Sequence, residues 1–169
     1  KKPRSEKYLL SSSFVYDSRN SLFNTTKGAY IDLEPEIGKL YRDGLRDYFQ
    51  GDLRVKYFLV LNSRMNLGTS LTMGYTYLQG GYEQVPLHER YYIGGPNSLR
   101  GFRHNRAGPV DENGKPLGGT VKILWNAVEI NTRIYEIVGF AVFLDCGNVW
   151  KKPAHVSLAD LRISPGIGL

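Results

Sequence analysis

An arginine and an aspartate, each placed among glycines and aromatic residues, are the two side chains of this sequence best suited to bind each other. Arg100 belongs to residues 94–102 (GGPNSLRGF), where glycine and proline bend the backbone. Asp145 belongs to residues 143–150 (FLDCGNVW), further along the chain. A guanidinium is a planar fork that can donate to both oxygens of a carboxylate. The two motifs therefore predict an ion pair that ties a loop to the structure beside it.

The residues around this pair are expected to shape the backbone rather than to react. Glycine has no side chain, so Gly101 would let the loop pass close to a neighbouring wall. The candidate site comprises the pair with its neighbours and the start of the loop motif: Arg100, Gly101, Phe102, Asp145, Glu129 and Gly147, and Gly94, Gly95, Asn97 and Ser98. The alternative interpretation is that Arg100 is a solvated loop residue and that Asp145 caps a turn before Gly147-Asn148.

No arrangement of residues in the sequence is typical of a catalytic centre. His88, His104 and His155 stand in predicted loops without the spacing of metal ligands. The sequence contains neither a Gly-x-Ser-x-Gly nucleophile turn nor a phosphate-binding loop. The single cysteine, Cys146, is interpreted as a small hydrophobic residue rather than as a nucleophile. We therefore expect no enzymatic activity, no bound metal and no cofactor.

Alternating apolar and polar residues predict that the chain is built of β-strands. The clearest alternation lies in residues 66–79, where apolar residues stand at the odd positions Leu71, Met73, Tyr75 and Tyr77. Similar patterns mark residues 7–16, 27–38, 53–63 and 137–145, and a further strand starts near Ile163. Residues 119–133 have the composition of a strand but change parity, which indicates a β-bulge. The prediction is an antiparallel meander of about seven strands.

One connection, residues 80–118, is much longer than the others. Loops of this length are uncommon, and they are usually functional or disordered. Four aromatic residues favour a packed loop here: Tyr82, Tyr91, Tyr92 and Phe102. Short turns at one end of a sheet and long loops at the other are typical of transmembrane β-barrels.

Strand length and composition favour a membrane barrel over a soluble β-sandwich. Several predicted strands reach the length of about 9–11 residues that a tilted strand needs to cross a bilayer. The mean hydropathy of −0.33 fits a barrel whose outward apolar residues alternate with polar inward ones. Tyrosines near predicted strand ends suggest aromatic girdles: Tyr8, Tyr16, Tyr30, Tyr57, Tyr77 and Tyr135. A sandwich that exposes Asp32, Glu34 and Glu36 to water is the alternative.

The net charge of +6 comes from scattered basic residues. Only Lys1, Lys2 and Arg4 near the start and Lys151-Lys152 in a predicted loop stand together. This scatter does not form the basic stripe of a nucleic-acid-binding surface. We expect a mildly basic, solvated surface and no nucleic-acid partner.

Inside a barrel, Arg100 would require carboxylates on the inner wall, because removing one partner of a buried ion pair costs about 3–5 kcal/mol. The apolar residues of the predicted strand 137–145 share one face, so Asp145 is expected on the opposite, inner face. Glu129 on the preceding strand is the second candidate partner, and its direction depends on the parity change.

The motif residues 94–102 resemble the loop signature of the Omp85 superfamily, a hydrophobic residue followed by Arg-Gly-Phe or Arg-Gly-Tyr. Residues 143–150 resemble its Phe-x-Asp-x-Gly motif. Residues 14–30 resemble its strand–turn–strand element, with Thr26 where proline is usual. Residues 108–129 are most similar to the assembly-factor branch, the BamA and TamA types. The resemblance covers nearly the whole chain.

This resemblance implies an all-β fold, an antiparallel transmembrane β-barrel of sixteen strands in which residues 1–169 form about seven. Residues 80–118 would be a long lumenal loop, with Arg100 in contact with Asp145 and Glu129. The POTRA domains and the first and last strands of the barrel would lie outside residues 1–169. Residues 1–20 contain no export signal, so any targeting sequence is expected upstream.

The function implied by the resemblance is non-enzymatic assembly, insertion or translocation of outer-membrane proteins. The implied partners are a Gram-negative outer-membrane bilayer, in preference to an organellar one, and unfolded barrel or secreted client proteins. Accessory lipoproteins or an inner-membrane partner would be reached through the POTRA domains. A two-partner secretion pore of the same superfamily is one alternative. A soluble or surface-attached β-domain that binds a partner is the other, and it would partition into the aqueous phase of a detergent extraction.

Overall fold

The computed structural model describes residues 6–41, 44–135 and 138–168, and its strands form one antiparallel sheet. The strands are β1 (Glu6–Ser11), β2 (Phe14–Asp17), β3 (Gly28–Tyr41), β4 (Leu45–Asn62), β5 (Met65–Leu78), β6 (Val121–Tyr135), β7 (Val138–Trp150) and β8 (Arg162–Gly168). Short 3₁₀ helices lie in the connections, at Tyr82–Gln84, Leu87–Glu89, Pro153–His155 and Leu158–Asp160. From β3 to β8 each strand pairs with the next, which confirms the predicted antiparallel meander.

The sheet contains eight strands rather than about seven, because the first predicted strand is interrupted. β1 pairs with residues 36–41 of β3, and β2 pairs with residues 30–33. The break at residues 12–13 lies opposite Pro35, which has no N–H to donate to a neighbouring strand. The Pro35 carbonyl still accepts from the N–H of Ser12 at 3.1 Å. Pro35 on β3 therefore divides the segment paired with it into two short strands, β1 and β2.

Several strands extend further than the alternation predicted. β3 continues to Tyr41 instead of residue 38, and β4 begins at Leu45 instead of Leu53, because residues 45–52 also pair with β3. β7 continues through Gly147 and Asn148 to Trp150, where the alternative interpretation placed a turn. Asp145 therefore lies inside a strand that is paired on both sides, and its interpretation as a turn cap is wrong.

The sheet has a polar face and an apolar face. Register places most charged strand residues on the polar face, among them Asp32, Glu34, Asp52, Arg54, Lys56, Lys122, Glu129 and Asp145. The apolar face carries exposed hydrophobic residues, among them Leu33, Ile37, Leu59, Met73, Trp125, Val142, Leu144, Ile163 and Ile167. Soluble proteins rarely expose so extended an apolar surface, whereas a membrane barrel turns it towards lipid. Cys146 lies on this face in register with Trp125 and Ile163, as expected for a small hydrophobic residue.

Exposed tyrosines stand near both ends of the apolar face. Tyr16 and Tyr57 lie towards the β2–β3 turn, and Tyr8 and Tyr77 lie towards the opposite end. Tyr77 is in register with Phe49 of β4, and Tyr57 itself belongs to β4. The two tyrosine levels are therefore separated along β4 by the distance from Phe49 to Tyr57, about 26 Å at ~3.3 Å per residue. For strands tilted by about 35–45°, this path spans about 20 Å along the membrane normal, somewhat less than the apolar band of about 25 Å in outer-membrane barrels.

Tyr30 was predicted to belong to the tyrosine girdles, and that prediction is wrong. Its position on β3 has the same parity as Asp32, so the side chain lies on the polar face. The Tyr30 hydroxyl donates to Asp32 at 3.1 Å. The side chain of Tyr135 and the basic residues Lys1, Lys2 and Arg4 lie outside the described residues.

The β5–β6 loop, residues 79–120, packs against the polar face and contributes to two buried clusters. The larger one joins the loop to β7 and consists of Tyr91, Ile93, Leu99, Ala107 and Val149. The smaller one lies where the loop begins and consists of Leu40, Tyr48, Leu78 and Val85. Tyr82 and Tyr91 are buried, so the packed loop predicted from its aromatic residues is confirmed. No helix among the described residues is long and apolar enough to cross a membrane.

Candidate functional site: the loop–sheet ion pair

Arg100 reaches from the β5–β6 loop to two carboxylates on the polar face. Its Nε and Nη2 atoms donate to the two oxygens of Asp145, each at 2.7 Å. Its Nη1 atom donates to Oε2 of Glu129 at 2.8 Å. The Asp145 side chain is fully buried, and those of Arg100 and Glu129 are 25% and 34% exposed. Asn126 donates to Asp145 at 2.8 Å, and we call these four residues the Arg100 cluster.

A β-bulge in β6 places both Asn126 and Glu129 on the polar face. Asn126 is in register with Asp145 and Val128 with Leu144, so Ala127 is the extra residue between them. Residues of even number face the polar side before Ala127, and residues of odd number do so after it. The bulge predicted from the parity change is therefore confirmed, and it determines the direction of Glu129.

The ring of Phe143 packs against the Arg100 guanidinium. The Cζ atom of Arg100 lies 3.3 Å from the centroid of the Phe143 ring, which favours a cation over its face. Gly166 of β8 leaves space for this ring, because a Cβ atom there would collide with it. Sequence reasoning did not assign Phe143 a role, although it stands two residues before Asp145 and therefore on the same face of β7.

Gly101 brings the loop backbone against β8. Its N–H donates to Oγ of Ser164 at 2.7 Å, and a Cβ atom at this position would collide with that oxygen. Ser164 is buried and lies in register with Asp145 on the neighbouring strand. Ser164 was not predicted, because its strand was recognised only by its start near Ile163. The expected role of Gly101 in close approach fits this geometry.

The first half of the loop motif forms a compact turn that precedes Arg100 in the chain. Gly94 and Gly95 both have positive φ angles, and the N–H of Gly95 donates to the carbonyls of Leu99 and Phe102 at 3.2 and 2.9 Å. Oγ of Ser98 accepts from the N–H of Gly94 at 3.3 Å. A side chain at position 94 would require a disfavoured backbone conformation and would collide with the backbone of residue 103.

The remaining predicted residues lie around this turn. Phe102 packs on the buried loop cluster, and Gly147 allows β6 to approach closely, since a Cβ atom there would lie 2.7 Å from the carbonyl oxygen of Ile123. Asn97 is exposed and lines, with Lys56, an open cavity of about 260 Å³ beside Arg100. Asn97 therefore makes no direct contribution to the ion pair.

The carboxylates keep the guanidinium charged. Hydrogen bonds to Asp145 raise the pKa of Arg100 above its ordinary value, and those to Glu129 act in the same direction. Burial alone would lower this pKa, but it is outweighed. Within the described ranges, no group of three or more His, Cys, Asp or Glu side chains could hold a metal ion. The arrangement is suited to holding a loop in place rather than to transferring atoms.

The family model for the Omp85 superfamily domain matches residues 1–169. The chain belongs to the Omp85 superfamily. The resemblance carried by residues 94–102 and 143–150 is therefore confirmed.

Relatives of this Omp85 chain occur in eukaryotes and in a bacterium. The sorting and assembly machinery component 50 homolog of Bos taurus is 35% identical over 116 residues, which are 65% of this chain and 23% of the relative. A SAM50-like protein of Schizosaccharomyces pombe is 33% identical, with 68% of this chain and 24% of the relative covered. The outer membrane protein assembly factor BamA of Nitratidesulfovibrio vulgaris is 31% identical, with 63% and 13% covered.

A solved structure shares the fold. The crystal structure of BamA from Haemophilus ducreyi lacking POTRA domains 1–3 matches 94% of this chain with a TM-score of 0.73 and 25% identity. The match covers 35% of that BamA chain. The present chain spans about a quarter or less of the curated relatives described above. Its all-β sheet corresponds to part of a BamA barrel and is not closed among the described residues.

Proposed function

We propose that this Omp85 chain forms part of the wall of an outer-membrane assembly factor, which inserts or translocates client proteins without catalysing a reaction. The names of its relatives support an assembly role, since they are called sorting and assembly machinery components and an outer membrane protein assembly factor. The exposed apolar face supports a position in a bilayer. Bacterial and eukaryotic relatives support an outer membrane in either kind of host.

The observation that carries the proposal is that one short loop segment contacts three adjacent strands from the polar side. Arg100 binds Glu129 on β6 and Asp145 on β7, and Gly101 binds Ser164 on β8. A brace of this kind limits how far these strands can flatten or spread apart. In the proposed mechanism, the loop keeps the shape of the wall while the rest of the barrel offers strand edges and a thinned bilayer to clients.

Lysine cannot replace arginine in this brace. The Arg100 fork uses three nitrogen atoms for two carboxylates, whereas an ammonium is a single point charge on a flexible stem. Clients with unfolded barrel strands, accessory lipoproteins and an inner-membrane partner are the partners that we propose for the full-length protein.

The test is client insertion by the full-length protein in lipid vesicles. Folding of a client barrel is followed by its heat-modifiable migration in gels for Arg100→Ala, Arg100→Lys and a control, Arg103→Ala, which removes an exposed arginine of the same loop. We expect Arg100→Ala to slow insertion about tenfold, the loss of at least one charge-assisted hydrogen bond. We expect Arg100→Lys to recover little of the rate and Arg103→Ala to retain it.

Normal insertion by a correctly folded Arg100→Ala protein would contradict the role of the brace. Conductance across the vesicle membrane together with transport of a single dedicated client would instead support the secretion-pore alternative.

A further inference from the structure

A second group of polar contacts joins the β5–β6 loop to β1 and β4. These contacts lie on the same polar face as the Arg100 cluster but further along the sheet. Oε2 of Glu89 accepts from Nζ of Lys7 at 2.7 Å and from the Tyr48 hydroxyl at 2.8 Å. Lys7 lies on β1 and Tyr48 on β4, whereas the carboxylates of the Arg100 cluster lie on β6 and β7. We call Glu89, Lys7 and Tyr48 the Glu89 cluster.

The Glu89 cluster is shielded from water. The Glu89 side chain is 11% exposed and that of Lys7 is 26% exposed. Tyr48 is buried and packs with Leu40, Leu78 and Val85. This packing of the ring fixes the position of the Tyr48 hydroxyl. Nζ of Lys7 also lies 4.4 Å from the centre of the Tyr48 ring. Partly buried charge pairs of this kind are less screened by salt than surface pairs.

The next contact along the loop strengthens the same attachment. The Tyr91 hydroxyl donates to Asp52 on β4 at 2.8 Å, and Lys122 on β6 bonds the other oxygen of Asp52 at 3.2 Å. Gly74 of β5 leaves room for the Tyr91 ring, because a Cβ atom there would lie 2.6 Å from it. Glu89 and Tyr91 thus attach the first part of the loop to β1 and β4.

Arg90, which lies between Glu89 and Tyr91, cross-links different parts of the β5–β6 loop. Its guanidinium donates to the carbonyl of Val85 at 2.9 Å, to the Tyr82 hydroxyl at 2.8 Å and to the carbonyl of Leu117 at 3.0 Å. Residue 117 lies near the end of the loop, so Arg90 closes its first and last parts on each other. Glu89 therefore attaches a cross-linked segment rather than a single extended strand of chain.

We propose that the loop is anchored twice, with Glu89 as the positioning residue of a second anchor that acts independently of Arg100. The Glu89 cluster holds residues 79–92 against β1 and β4. The Arg100 cluster, together with the Gly101–Ser164 hydrogen bond, holds residues 93–107 against β6, β7 and β8. This inference deepens the proposed function, on which it rests only for the claim that both anchors support client insertion. The attachment itself can be measured without any client.

The experiment measures amide hydrogen exchange of the loop in the full-length protein in lipid nanodiscs. Glu89→Gln retains the size of the side chain but removes its charge, and Glu83→Gln makes the same change at an exposed position of the same loop. We expect Glu89→Gln to accelerate exchange in residues 79–92 about tenfold, the size of a lost hydrogen bond to a charged group, and to leave residues 93–107 unchanged. Arg100→Lys is expected to give the reverse pattern, and Glu83→Gln neither.

A double-mutant cycle tests whether the anchors are separate. Lys7→Met combined with Glu89→Gln should change exchange by less than the sum of the two single substitutions, because both remove the contact between Lys7 and Glu89. Glu89→Gln combined with Arg100→Lys should give additive effects, because their contacts lie on different strands. Uniform acceleration throughout the loop, or an effect of Glu89→Gln no larger than that of Glu83→Gln, would overturn the inference. Altered exchange with normal client insertion would support the second anchor and contradict only the claim that this anchor supports client insertion.

Discussion

Arg100 and Asp145 form a two-point ion pair between a loop and the middle of a strand, and the acid has no surface left for water. Both bonds measure 2.7 Å, and Asn126 fills a further acceptor position of the same carboxylate. Two parallel charge-assisted bonds fix orientation as well as distance. The loop is therefore held in one position on the sheet, which is the property that the proposed wall brace requires.

Replacing the buried carboxylate by an amide should destabilise the loop contact. Asp145→Asn keeps the shape of the side chain but leaves Arg100 with only the partly exposed Glu129 as a charged partner. Breaking a buried pair costs about 3–5 kcal/mol, and the partial exposure of Arg100 places the effect near the lower end. The measurement is the urea dependence of unfolding in detergent. Glu129→Gln is the matched comparison, and we expect it to cost less free energy of unfolding because Glu129 is partly exposed. Equal losses in the two variants would contradict this expectation.

Removing the bulge residue should leave the direction of Glu129 unchanged, because Ala127 is the extra residue of the bulge. Without Ala127, the residues Asn126, Val128 and Glu129 alternate as in a regular strand, and Glu129 still faces the polar side. Insertion of one residue after Ala127 would instead shift the parity and turn Glu129 towards the apolar face, where a charge costs about 2–4 kcal/mol near the bilayer centre. We expect the deletion of Ala127 to retain heat-modifiable folding and the insertion to lose it. Loss of folding in the deletion variant together with normal folding of the insertion variant would contradict this account of the bulge.

Gly101 and Ser164 should be coupled through one oxygen atom. Gly101→Ala introduces a methyl group into the position of Ser164 Oγ, so we expect a loss of about 1–3 kcal/mol from overpacking. Ser164→Ala removes that oxygen together with the hydrogen bond from the Gly101 N–H. Because the removed oxygen leaves space for the added methyl group, the double variant should lose less stability than the two single variants together. Strict additivity in unfolding measurements would contradict this coupling.

The two faces of β5 should respond differently to a new charge. Met73 lies on the apolar face midway between the two tyrosine levels, and its neighbour Thr72 lies on the polar face in register with Arg54. We expect Met73→Arg to cost about 2–4 kcal/mol of folding free energy in lipid, and Thr72→Arg clearly less. Folding into vesicles, titrated with urea, measures both. Equal costs would mean that the apolar face does not lie against lipid.

The loop should loosen at alkaline pH through Tyr91. Burial, followed by the nearby charge of Asp52, raises the pKa of Tyr91 above its ordinary value. The unfolded tyrosine loses its proton near pH ~10, so the stabilisation is complete below that pH and decreases as pH rises towards the higher folded value. We expect Tyr91→Phe to reduce the fall in Tm between about pH 9 and about pH 11. An identical fall in the variant would contradict a role of the Tyr91 phenol.

Much of the fold was predictable because strands impose a period of two on their residues. The alternation at Leu71, Met73 and Tyr77 predicted the facing of β5, and the parity change predicted a bulge within residues 119–133, which the structure places at Ala127. Local patterns could not reveal that residues 45–52 belong to β4, since their pairing partners lie on β3. The break between β1 and β2 was also missed, because its cause, Pro35, stands on the neighbouring strand.

The candidate site was predictable to the extent that motifs contain it. Residues 94–102 and 143–150 were enough to place Arg100 and Asp145 in one hypothesis. Glu129 was the second candidate because it stands on the preceding predicted strand, and family resemblance supported it. Ser164 and Asn126 belong to no motif, and Phe143 belongs to the second motif without an assigned role. All three take part because register places them beside the same carboxylate or guanidinium. Glu89 likewise gains its partners from β1 and β4.

The sequence by itself determined, for most strands, which residues lie on the apolar face and which on the polar face, because side-chain alternation is a local consequence of strand geometry. It also determined that an arginine and an aspartate were available to pair. Only the tertiary structure decided that Arg100 meets two carboxylates and that Glu89 meets Lys7 and Tyr48. These contacts join residues far apart in the chain, and their geometry depends on strand register and on the path of the long loop, which no local pattern specifies.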